Sequence, residues 1–148
     1  MKQIAAAIAL FLAPLASAEA DSHSATMGVS VRVVARARVT VASQPAEVVV
    51  TSSDVARGYV HIDSPITLSA HTNSRSGYLL QVNTTSSQFA GAQLTAEDVV
   101  MNVIDEAWVR RPYVAGGETV AIRARLLLTP GTTPGRYALP LVFRAQAL

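Results

Sequence analysis

Cysteine is absent from all 148 residues. That removes disulfides, thiolate metal sites and cysteine nucleophiles at one stroke, so stability has to come from packing and from sheet hydrogen bonds. Lysine is nearly absent too, since Lys2 is the only one and every other base is arginine. The formal net charge is only +2 although the pI is near 9.4. The arginines, among them Arg32, Arg57, Arg75, Arg110, Arg123 and Arg144, are scattered, and aromatic residues make up just 5 % of the chain. Without a basic stripe interleaved with aromatics, nucleic acid is not an expected partner. Nor is there a long hydrophobic run: residues 4–12 are apolar, but a membrane-spanning helix needs about 20 such residues.

What the first twenty residues do contain is Lys2, that short apolar stretch, and then the small residues Ala16, Ser17, Ala18 and Ala20. This is the pattern of a secretory signal peptide. The expected mature start is Glu19 or Asp21, with Asp21 preferred, and the expected location is the periplasm or surface of a bacterium. The roughly 128 residues that follow are enough for one domain with its own core.

The mature chain is organised by alternation. Met27, Val29, Val31, Val33, Ala35, Ala37, Val39 and Val41 put an apolar residue at every second position, the period of a half-buried strand. About 15 residues at about 3.3 Å each would reach roughly 50 Å, too long for one ordinary strand. Either the segment bends between two sheets, or part of it pairs with something outside its own domain. Short apolar runs then recur at residues 47–51, 59–62, 66–72, 78–84, 99–104, 119–128 and 136–147, separated by turn residues. This spacing predicts an all-β antiparallel sandwich. The expected core is Val39, Val41, Val49, Leu68, Leu80, Val82, Ile122, Leu126, Leu139, Leu141 and Phe143. The last two runs, joined by a Thr-Pro-Gly-rich linker, are expected to form a hairpin-like pair or to cross between sheets. Only residues 94–98 suggest a helical turn, with Thr95 as a cap before Glu97 and Asp98.

Residues that could carry chemistry are few. His61 and Asp63 share a strand face and His71 could join them around a metal, yet no second ligand pair with zinc-like spacing exists, so no metal or other cofactor is expected. The carboxylate pairs Glu97-Asp98 and Asp105-Glu106 are sequence neighbours that would diverge on a strand, and no Gly-x-Ser-x-Gly elbow is present. No enzymatic activity is expected. Trp108, Tyr113, Arg110 and Arg111 form the one cluster that could recognise a ligand, although a place in the core is the preferred reading for Trp108.

A signal peptide followed directly by an alternating Val-rich strand, the run Ala121-Ile122-Arg123-Ala124-Arg125-Leu126, and the ending Pro134-Gly135-Arg136-Tyr137 before a final alternating strand together resemble a family. The chain is similar to the pilin-type subunits of chaperone-usher systems, in particular the spore-coat-U-like, archaic branch. The resemblance implies an incomplete immunoglobulin-like sandwich, whose missing strand comes first from a periplasmic chaperone and then from the N-terminal extension of the next subunit. It implies residues 1–20 as signal peptide, 21–33 as extension and 34–148 as the sandwich. Met27, Val29, Val31 and Val33 would be the donor-strand side chains. The partners would be other copies or related pilin subunits, a periplasmic chaperone and an outer-membrane usher, in a secreted adhesive surface fibre. The alternative is a self-contained immunoglobulin-like binding or accessory module of the periplasm or cell surface, which pairs its first strand internally. Both place a change at Val33-Val34-Ala35, where apolar residues occupy both faces.

Overall fold

The computed structural model describes residues 27–148. The signal peptide, both candidate cleavage points and residues 21–26 of the extension lie outside the described residues. The chain divides at Arg32/Val33 into two units. In the first, the described residues 27–32 form no strand.

The second unit is almost entirely antiparallel β-sheet, in a sandwich-like arrangement. Eleven strands and one short helix follow in the order β1 (Ala37–Ser43), β2 (Glu47–Val50), α1 (Ser52–Arg57), β3 (Tyr59–His61), β4 (Ile66–Thr72), β5 (Tyr78–Thr84), β6 (Phe89–Ala96), β7 (Val99–Val103), β8 (Glu106–Arg111), β9 (Glu118–Leu128), β10 (Gly135–Ala138) and β11 (Leu141–Ala147). The large sheet has the order β1-β4-β9-β6-β7, with β3 on the edge of β9 beyond β4. A small sheet has the order β11-β5-β8, and β10 pairs with β2 separately.

Alternation works strongly where it is clean. Leu80 and Val82 of β5, Leu68 of β4, Ile122 and Leu126 of β9, and Leu141 and Phe143 of β11 are all buried in one core drawn from both sheets, with Val39 and Leu139 half-buried against it. Two expected core residues are exposed instead. Val49 is 53 % exposed, because β2 pairs with β10 so that Val48 lies opposite Tyr137 and Val49 opposite the exposed Arg136. Three consecutive valines carry no period, so the partner strand selects which face turns inward. Val41 is 38 % exposed on β1, the outermost strand of its sheet.

The last two runs do cross between sheets. β9 lies at the centre of the large sheet, while the final run breaks at Leu139-Pro140 into β10 and β11, which join different partners. Pro140 lacks an N–H and cannot continue a ladder; the Leu139 N–H before it bonds Ala46 O at 3.1 Å. The expected helical turn at 94–98 is the end of β6 and a tight turn, with Glu97 at φ 52°. The helix that does form is α1. Thr51 caps it, its side chain accepting from the Asp54 N–H while Asp54 accepts from the Thr51 N–H, and Gly58 closes it at φ 77°. Among the described residues, no helix is long and apolar enough to cross a membrane.

Candidate functional site

Among the described residues the first and last strands each have one free edge: β1 pairs only with β4, and β11 only with β5. Their ends meet at a cleft of about 920 Å³ lined by residues 35–38 ahead of and on β1, His71–Asn73 of β4 and the following turn, and Gln146 and Ala147 of β11. The inward side chains flanking this gap are incompletely covered: Ala37 and Val39 on β1, Ala145 and Ala147 on β11 are half-buried.

One corner, between β4 and β5, fixes both edges. The Asn73 side chain accepts from the Arg36 N–H at 2.6 Å and donates to Val34 O at 2.9 Å, and Thr72 Oγ1 donates to Arg36 O at 3.0 Å. A few residues on, Ser74 Oγ donates to Leu148 O, and the Leu148 N–H bonds Gly77 O at 3.2 Å. The corner therefore positions the entry of β1 and the exit of β11 together. Its tightness requires Gly77, which sits at φ 90° with the Arg111 carbonyl oxygen 2.2 Å from where a Cβ would be.

Behind this corner lies a polar cluster that periodicity does not reveal. Arg111 closes β8, Glu118 opens β9 and Tyr78 opens β5. Arg111 Nη2 donates to Glu118 Oε2 at 2.6 Å, and Tyr78 Oη donates to Glu118 Oε1 at 2.8 Å. Both charged side chains are nearly buried, at 10 % and 12 % exposed. Burial alone would raise the Glu118 pKa, but the hydrogen bonds from Arg111 and Tyr78 hold it below the ordinary carboxylate value. Burial first, and then the Glu118 carboxylate, push the Tyr78 hydroxyl well above its usual range. The sequence signal was an arginine following the alternating Ala107 and Val109, at a position whose parity points inward.

The sequence-predicted residues are distributed unevenly. Met27, Val29, Val31 and Val33 are all exposed, at 76 % or more, and none lies in a strand. His61 and Asp63 share one cleft while His71 lines another. Among the described residues no group of three or more His, Asp or Glu could hold a metal. Trp108 is not in the core: it is 44 % exposed, because β8 turns Ala107 and Val109 inward and places Trp108 with Glu106 and Arg110 on the outer face. Its indole N–H donates to Glu106 Oε1 at 3.0 Å. Arg110 is exposed and lines one cleft with Tyr113 while Arg111 is buried, so of the expected cluster of Trp108, Arg110, Arg111 and Tyr113 the structure keeps Arg110 with Tyr113 and turns Arg111 to the other face. Comparison of the chain with family models, with curated proteins and with solved structures finds no match.

Proposed function

We propose that the protein is a structural subunit of a secreted fibre, assembled when the N-terminal extension of one copy completes the sandwich of the next. The observation that carries this reading is the pair of unpaired edges on β1 and β11 at one open cleft, in a chain that also has an exposed, alternating apolar segment at residues 27–33. A strand bonded to both edges would first have to part them, since β1 and β11 approach within 8 Å and a strand between two neighbours takes up roughly 9.5 Å. Once in place it would satisfy their free N–H and C=O groups, and its alternate side chains would cover the half-buried Ala37, Val39, Ala145 and Ala147, which is β-augmentation. Each valine so buried contributes about 1.5 to 3 kcal/mol.

Strand order supports the finer, immunoglobulin-like description. In that sandwich, strands A, B, E and D form one sheet and C, F and G the other. β1-β4-β9-β6 matches A-B-E-D in both chain order and pairing, and β5 and β11 match C and F. Among the described residues no strand occupies the G position, beside F. That is the place a donated strand would fill.

The test is a pair of chains compared by analytical ultracentrifugation. Deleting residues 21–33 from the mature protein should abolish self-association, and moving that segment behind Leu148 through a flexible linker should give a stable monomer. Val31→Asp should act like the deletion, since it would bury a charge without a partner. If the deleted chain fails to fold while the mature chain stays monomeric at high concentration, the segment belongs to its own domain and the protein is a self-contained binding module.

A further inference from the structure

Away from the strand edges, β9 changes partner halfway along. Its second half pairs with β3 through His61↔Arg125, and its first half with β4 through Ile66↔Ile122. Between the two, the Ile62 N–H still bonds Ala124 O at 3.0 Å, residues 63–65 leave the sheet edge, and a cleft of about 320 Å³ opens over the outer face. On that face the registers place His61, Arg125 and Gln93 in one row across three strands, with Thr95 and Arg123 forming the next row. All five residues line the cleft, and so does Asp63.

The chemistry of this lining is mixed in an informative way. Arg125 is held in place: its guanidinium carbon lies 5.0 Å from the centre of the Tyr59 ring, and it donates to Gln93 Oε1. His61 packs edge-on against the same ring, with centroids 5.2 Å apart. Among the described residues neither Arg123 nor Arg125 makes an ion pair, and the buried Arg125 Nε has no acceptor. Two guanidinium groups on one face favour an oxyanion, which a planar fork of N–H donors matches. A bare anion, however, would face the Asp63 carboxylate. Asp63, Gln93 and Thr95 instead suit hydroxyl groups, for which a carboxylate is a strong acceptor.

We propose that this cleft binds one residue of an acidic saccharide, its carboxylate directed to Arg123 and Arg125 and its hydroxyls to Asp63, Gln93 and Thr95. A second cleft of about 480 Å³ shares Pro65, Thr95 and Arg123 and adds the Glu97 carboxylate, so it suits the hydroxyl groups of a neighbouring sugar residue and not a second carboxylate. This site is independent of the assembly edges and stands whether or not the protein polymerises.

The test is isothermal titration calorimetry of the mature chain with trigalacturonate, galactotriose and sodium sulfate. Trigalacturonate should bind roughly tenfold or more tightly than either control, because each lacks one half of the recognition. Arg123→Gln, at an exposed position, should weaken trigalacturonate by roughly tenfold or more with an unchanged circular-dichroism spectrum. Asp63→Asn should weaken trigalacturonate while leaving sulfate equal or tighter. Should Arg123→Gln fail to fold, Thr95→Val takes its place, with a weaker trigalacturonate affinity expected. No binding of trigalacturonate, equal binding of sulfate or galactotriose, or affinity that survives both variants overturns the proposal.

Discussion

Glu118→Ala is the substitution whose cost follows most directly from the structure. The carboxylate joins the two sheets: Tyr78 and Arg111 belong to β5 and β8 of the small sheet, Glu118 to β9 of the large one. Removing it leaves a buried phenol hydroxyl without its acceptor and a nearly buried guanidinium with only the exposed Glu97 carboxylate, 3.6 Å from its Nη1. Breaking a buried pair from one side costs about 3 to 5 kcal/mol, against a total stability of about 5 to 15 kcal/mol for a domain. With a urea slope of about 2 kcal/mol/M, a loss of about 4 kcal/mol moves the unfolding midpoint down by about 2 M. Intrinsic fluorescence of Trp108 on β8 is the readout. The pH dependence has a definite sign: the folded pKa of Glu118 is lowered, so its contribution is complete above the unfolded carboxylate value near 4.5 and fades as pH falls through the folded one. Wild type should therefore lose more stability than Glu118→Ala between pH 5 and the acid limit. A midpoint shift under about 0.5 M, or parallel acid limbs for the two proteins, would refute the assignment of the pair as a structural tie.

Two further substitutions probe local geometry. Gly77→Ala should destabilise by more than about 2 kcal/mol in thermal melts, since the new Cβ meets the Arg111 carbonyl and the left-handed φ is strained for any side chain. Thr51→Ala removes one half of the capping box of α1 and should cost about 1 kcal/mol in urea denaturation, an effect absent if the helix is held by packing alone.

The β-rich architecture was legible because its strongest strands carry a clean period of two. The runs at 66–72 and 78–84 coincide with β4 and β5, and β9 begins one residue ahead of its run. Two strands escaped for opposite reasons. β6 contains Ala90, Gly91, Ala92 and Gln93, residues of low strand propensity, although Ala92, Leu94 and Ala96 do alternate inward. β8 mixes Glu106, Trp108 and two arginines, so its apolar side shows only as Ala107 and Val109. Helix α1 has no apolar periodicity to read, Val55 being its one large apolar residue, and its signals are local: Thr51 three residues before Asp54, and Gly58 as the stop.

The edges illustrate a different limit. Alternation states which face of a segment is apolar, but it carries no information about whose core receives that face. The alternating stretch 27–41 reads as one object, yet pairing begins only at Ala37, opposite Thr72. The switch is made by Asn73, a residue distant in sequence, whose side chain takes up the backbone at Val34 and Arg36 and so occupies the positions a ladder partner would use. Beyond that clamp, Ala37, Val39 and Val41 alternate inward yet are only partly covered: among the described residues no strand pairs with the second edge of β1, and β11 approaches within 8 Å without bonding to it. On the proposed reading, incomplete burial of a regularly alternating edge strand is the trace of a neighbour that another copy supplies. Val41 shows the point most directly: its parity and its pairing with Leu68 are those of a core residue, and what it lacks is a cover. A donated strand that supplies one should lower its exposure while leaving Val49, whose exposure is set by its pairing with Arg136, unchanged. Methyl chemical shifts of the two valines, compared between the linker-grafted monomer and the chain lacking residues 21–33, should therefore move at Val41 and stay fixed at Val49; equal movement at both would mean that the cleft is not where the segment docks.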